Sequence, residues 1–153
     1  MEQREKWMRL ALSEAEKAAE LGEIPVGAVI VADGVIIGRG GNRVETLGDP
    51  TAHAEIIAIG AAAETTGYER LIDSTIYVTL EPCTMCAGAV MLARIPTLVF
   101  GAADPKTGAC GSLYNICHNK RLNHYVTVRS GVLEQECSAL IRRFFRELRE
   151  KRS

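Results

Sequence analysis

His53 and Glu55 in Thr51-Ala52-His53-Ala54-Glu55, with Cys83 and Cys86 in Glu81-Pro82-Cys83-Thr84-Met85-Cys86, are the residues of this chain whose types and spacing can do chemistry. Zinc takes thiolate and imidazole ligands in tetrahedral geometry, and a catalytic zinc differs from a structural one in leaving its fourth position open. His53, Cys83 and Cys86 supply three ligands and no obvious fourth. The cysteines stand at i and i+3, so at a helix start both sulfurs lie on one side and one ion can meet both. Pro82 suits a helix beginning, where its missing N–H would have had no intrahelical partner. The free N–H groups of that first turn favour thiolate over thiol, the form zinc binds.

His53 and Glu55 are two apart, which does not place them on one helical face, so the metal is expected over a helix end and not beside a helix shaft. Glu55 can then reach a water at the open position without being a ligand. Two thiolates, a neutral imidazole and a dication sum to about zero, a Lewis acid able to lower the pKa of water from about 15.7 toward 7. The alternative is a closed structural zinc knuckle, with a coincidental Glu55 and a fourth ligand from Cys110, Cys117, His118, His124 or Cys137.

The pattern around these residues must place them at element ends. Apolar residues recur at helical period from Trp7 to Leu21, with Gly22 and Pro25 ending the helix. Val26–Val31 and Val35–Ile37 read as a hairpin about Asp33-Gly34, and the near-continuous apolarity of the first strand predicts cover on both faces. Gly40-Gly41-Asn42 leaves the second strand, and Thr46–Pro50 is a loop leading to a helix from near His53 to about Gly67. Asn42 reads either as a turn residue or as an amide that bonds a base edge near the metal. Thr75–Thr79 is a strand feeding into Glu81-Pro82-Cys83. The cysteine helix is expected to run to Arg94 before Pro96, followed by a strand at Thr97–Phe100. Asp104-Pro105-Lys106-Thr107-Gly108 is a turn-rich loop, either a surface turn or a ligand-reaching one. A short strand at Tyr125–Val128 precedes a helix from Glu134 to about Glu150. In open α/β sheets, sites lie beyond the carboxyl ends of strands, where both metal segments fall.

At 153 residues, 47% apolar and 24% charged, the chain fits one domain with its own core. No apolar run approaches a membrane span, and the charged opening Met1–Lys6 is not that of a secretory signal, so the cytoplasm is the expected compartment. Five cysteines, two of them claimed by zinc, give no disulfide framework. A net charge of −1 does not advertise a nucleic-acid binder. Locally, six Lys or Arg stand against two Glu between Arg142 and Arg152, interleaved with Phe144 and Phe145. By itself that segment reads as a solvated C-terminal helix with a two-ring anchor in the core.

His-x-Glu followed by Pro-Cys-x-x-Cys resembles the signature of zinc nucleobase deaminases. Over nearly its whole length the chain resembles the bacterial tRNA-specific adenosine deaminase family, within the cytidine-deaminase-like fold. The resemblance rests on Glu23–Val29, Asp49–Glu55, Tyr77–Ala89, Asp104–Gly108, Gly111-Ser112-Leu113, Leu122-Asn123-His124 and Phe144-Phe145-Arg146. It implies a three-layer α/β/α sandwich with a five-stranded mixed sheet, a single zinc-dependent deaminase domain over residues 1–153, and a homodimer. It also implies hydrolytic conversion of adenosine to inosine at the wobble position of an arginine tRNA. In that frame Glu55 shuttles the proton, and His53, Cys83 and Cys86 hold one zinc ion. Asn42 recognises the flipped base, Asp104 and Lys106 contact the anticodon-loop backbone, and Phe145 with the terminal arginines holds RNA. Two other functions use the same residues: deamination of a free base or nucleotide of guanine or cytosine type, and a noncatalytic zinc module that binds RNA.

Overall fold

The computed structural model describes residues 2–67, 70–119, 121–122 and 124–152; Asn123, within one of the resembling stretches, lies outside them. A five-stranded sheet in the order β2-β1-β3-β4-β5 forms the middle layer. Strand β1 (Gly27–Ala32) runs antiparallel to β2 (Val35–Gly41) and β3 (Ser74–Leu80), while β4 (Thr97–Ala102) is parallel to β3 and to β5 (Thr127–Arg129). The sheet is therefore mixed, as expected.

Alternate residues of the central strands enter two separate cores, as the period of two in a strand requires. Ala28, Ile30, Ile76, Val78, Leu98 and Phe100 pack with Ala58 and Ala62 of α3 (Ala54–Thr66) and with Ala87 and Val90 of α4 (Thr84–Leu92). Val29, Val31, Tyr77 and Val99 face the other way, onto Trp7, Met8 and Ala11 of α1 (Gln3–Glu20) and Leu140 of α5 (Glu134–Arg152). The cover on both faces predicted for β1 follows. Asp33 and Gly34 both adopt positive φ, 51° and 72°, the conformation a two-residue hairpin turn needs.

Several boundaries differ from the sequence reading. Strand β2 continues through the glycines that read as its exit. Gly38 lies under α3, where a Cβ would collide with the Ala58 carbonyl and with Ala62, and Gly27 lies under α1 in the same way. Glycine here serves close helix-to-strand approach and does not end the strand. The expected loop after Asn42 contains a one-turn helix, α2 (Val44–Leu47). Helix α4 ends at Leu92, because Arg94 turns left-handed at φ 62° before Pro96 is reached. Strand β5 starts two residues later than expected, and α5 runs on to Arg152. Among the described residues no helix is long and apolar enough to cross a membrane.

Candidate active site

The carboxyl ends of β3, β4 and antiparallel β2 share one edge of the sheet with the start of β1. At that edge two helices begin. His53 is the extended residue that precedes α3, and Glu55 lies in the first turn. Cys83 precedes α4 in the same way, and Cys86 is the third helical residue. Helix starts thus aim all four side chains at one point, where unpaired N–H groups favour negative charge.

His53 Nδ1 lies 3.6 Å from Cys83 Sγ and 3.5 Å from Cys86 Sγ, and the three donor atoms fall within 4.8 Å of one another. A tetrahedron with zinc–sulfur bonds of about 2.3 Å and a zinc–nitrogen bond of about 2.05 Å has a nitrogen-to-sulfur edge of about 3.6 Å. The donor set and its spacing therefore fit zinc. No fourth His, Cys, Asp or Glu joins the group among the described residues. Cys110 and Cys117 face each other, their sulfurs 3.8 Å apart, His118 stacks on Tyr125, His124 Nε2 donates to the Ile95 carbonyl, and Cys137 is buried in the other core. The closed-knuckle alternative lacks its last ligand.

Glu55 is 3% exposed. Burial pushes its carboxyl up to about 7, against the opposing pull of its own N–H and of His53. A carboxyl poised near neutrality can both take and give a proton. The Cys83 thiol is held at about 5, first by a hydrogen bond from the Cys86 thiol, whose own ionisation that bond and burial suppress. Zinc binding requires the remaining proton to leave.

A MafB19-like deaminase family model matches residues 2–149. The tRNA-specific adenosine deaminase of Bacillus subtilis (strain 168) is 51% identical over 152 residues, 99% of this chain and 94% of that one. This chain belongs to the tRNA-specific adenosine deaminase family. A solved structure from biochemical and structural studies of A-to-I editing by tRNA:A34 deaminases at the wobble position superposes with TM-score 0.85. It is 49% identical and covers 88% of this chain and 98% of that one. Guanine deaminase from Bacillus subtilis is 42% identical over 67% of this chain and 66% of that one, with TM-score 0.63.

The metal-fitting group of this deaminase opens into a cavity of about 160 Å³ lined by Asn42, His53, Glu55, Cys83, Asp104 and Thr107. A cavity of about 150 Å³ holds a benzene ring, so this one has room for a flat ring. Ile24, Val26 and Leu80 add apolar wall that the sequence reading did not assign to the site. Asn42 is 8% exposed, and its Oδ1 accepts the Val44 N–H at 3.4 Å, so the turn role and the pocket position coexist. The Asp104 carboxylate is engaged in its own turn, accepting the N–H groups of Lys106 and Thr107 and the Thr107 hydroxyl at 2.7 Å. Lys106 itself is exposed and outside the cavity lining.

Phe144 and Phe145 meet edge to face but are not a core anchor. Phe145 is 36% exposed, and both rings line a larger cleft of about 690 Å³ that shares Ile24, Asn42 and His53 with the catalytic cavity. Helix α5 runs along the surface, which is why its rings line a cleft at all.

Besides Glu14 of α1, two buried carboxylates went unassigned in the sequence. Glu23, 1% exposed, accepts the N–H groups of Glu45 and Thr46 and the Thr46 hydroxyl, fixing α2 beside Asn42. Glu81, 2% exposed, collects donors from the segment after β4. Burial acts to raise both, yet the Thr46 bonds on Glu23 and the bonds from Ser112, Asp104 and Cys110 on Glu81 outweigh it and hold both carboxyls below their usual range. Their one visible signal was a Glu set directly beside apolar residues and proline, in Glu23-Ile24-Pro25 and Leu80-Glu81-Pro82.

Proposed function

We propose that this protein, acting as a single zinc-dependent deaminase domain, hydrolyses adenosine to inosine at the wobble position of tRNA, with an arginine tRNA as substrate. The observation that carries the reading is the open-sided His53, Cys83 and Cys86 group facing buried Glu55 in a ring-sized cavity. His53, Cys83 and Cys86 would hold one zinc ion, which when bound supplies Lewis acidity and makes water a better nucleophile near neutral pH.

Glu55 accepts a proton from the attacking water and hands it to N1 of adenine as the oxygen bonds to C6; it then takes the second proton, from the new C6 hydroxyl, and gives it to the amine, so that the C6–N bond breaks and ammonia leaves. One carboxyl thus serves as base and then as acid, which burial near neutrality permits. Asn42 bonds the base edge from the cavity wall. Asp104 and Lys106 face the anticodon-loop backbone, and Phe145 with Arg152 in the adjoining cleft holds flanking nucleotides. A base must leave its stack to enter a recessed cavity, and a loop already exposes bases, reducing an unstacking cost of about a few kcal/mol.

A homodimer in the cytoplasm completes the proposal. Helix α4 has no charged residue and α3 has only Glu55 and Glu64, yet Ile56, Ile59, Ala63, Met85, Ala89 and Leu92 are incompletely covered within one chain. A helix apolar on all sides is normally buried, and a second copy of this chain would cover the face.

Incubating the protein with total tRNA and sequencing the product for inosine tests the function and names the substrate. Ammonia release from free guanine and cytosine, measured in parallel, distinguishes the free-base alternative; release from guanine without tRNA inosine would overturn the proposal.

A further inference from the structure

Glu81 stands between the last residue of β3 and Pro82, two residues before Cys83. Its Oε1 accepts the Asp104 N–H at 3.0 Å and the Ser112 hydroxyl, and its Oε2 accepts the Cys110 and Ser112 N–H groups, each at 3.0 Å. A nine-residue segment, 104 to 112, is folded about one carboxylate. Gly108 allows that approach, since a Cβ there would collide with the Glu81 carboxyl carbon. The Ala109 N–H donates to the Pro82 carbonyl at 2.9 Å, tying the same segment to the chain that leads into Cys83. From the other side of this segment, Asp104 and Thr107 reach the catalytic cavity.

Among the described residues no Lys, Arg or His forms an ion pair with Glu81. Burying a carboxylate without a cation is costly unless donors saturate it. An apolar residue would fill the same space without that cost but could not gather three N–H groups and a hydroxyl. What the carboxylate adds is a fixed position for a wall that has no regular secondary structure of its own.

We propose that Glu81 is a positioning residue for substrate: it holds the 104–112 segment as the cavity wall at a set distance from Cys83, so that the wall and the metal site share one anchor. This rests on the deaminase reading above. Glu81 borders the cavity too, but both of its oxygens are engaged by the 104–112 segment, so it acts through Asp104 and Thr107.

Glu81→Gln places an amide NH2 against N–H donors on one side of the hub, and Ser112→Ala removes the hydroxyl donor alone. Three quantities decide the outcome: zinc content, amide exchange at Asp104, Cys110 and Ser112, and kcat and KM on an anticodon stem-loop. The expected result is wild-type zinc content and faster exchange of those amides. KM should rise about tenfold in Glu81→Gln and about threefold in Ser112→Ala, with kcat within about twofold of wild type, since each lost bond is one to a charged acceptor. Unchanged KM in zinc-loaded variants overturns the proposal, as does unchanged amide exchange. Zinc loss at constant KM also overturns it, because Glu81 would then merely scaffold Cys83. Should Glu81→Gln fail to fold, Ser112→Ala carries the same test. A wild-type protein inactive on the stem-loop overturns the functional reading instead, a result that amide exchange does not affect.

Discussion

His53, Glu55, Cys83 and Cys86 form the floor of the site from two helix starts, whereas Asn42, Asp104 and Phe145 form its rim from three segments that share no helix end. The floor's geometry follows from local rules: an extended residue before a helix, then a side chain two or three positions on. The rim's geometry is tertiary. Asn42 is placed by the end of β2 and by α2, which Glu23 holds; Asp104 by the Glu81 hub; and Phe145 by the path of α5 across the surface. Errors in the floor should abolish chemistry, and errors in the rim should grade affinity.

Four substitutions test that division. Cys83→Ser should have the largest effect, leaving zinc substoichiometric and deamination at background; full metal occupancy measured by atomic emission would mean the ligands are misassigned. Glu55→Ala should retain its zinc and lose about 10²–10⁴-fold in kcat, the usual contribution of a positioned acid–base group. Substantial turnover in that variant would remove Glu55 from the proton path. On the rim, Phe145→Ala should weaken stem-loop binding about tenfold if its ring stacks on a base, with kcat at saturation little changed. A fall in kcat instead would move Phe145 from the rim to the floor. Lys106→Ala should cost least, weakening binding more at low salt than at high salt and lowering the salt slope by about one. Equal affinities at both salt concentrations would exclude a phosphate contact.

The same division explains how much could be read without coordinates. The spacing of His53, Glu55, Cys83 and Cys86 carries its meaning in any helix that begins there, so the floor was visible in a string of letters. The helical cover on both faces of the sheet was legible for a related reason, because apolar periodicity records local geometry, whereas the mixed strand order was an implication of the family resemblance alone. Gly40 and Gly41 misled for the opposite reason. A glycine that ends a strand and one that admits a helix look alike until the helix is in place. Phe144 and Phe145 read as core because two adjacent rings normally seek burial, and only the path of α5 shows that they line a cleft. Glu23 and Glu81 were opaque because the donors that make them tolerable come from 22 to 31 residues away.

The seat of α3 on Gly38 reaches further than packing. Ala62, which that glycine admits, lies seven residues along the helix from Glu55, about 10 Å at the usual rise. Glu55 is therefore levered from its far side: a single methyl group on the sheet would lift the helix shaft and tilt its tip. A change at Gly38 would thus be felt at the Glu55 carboxyl as well as where Ala58 and Ala62 pack, though the glycine does not line the cavity.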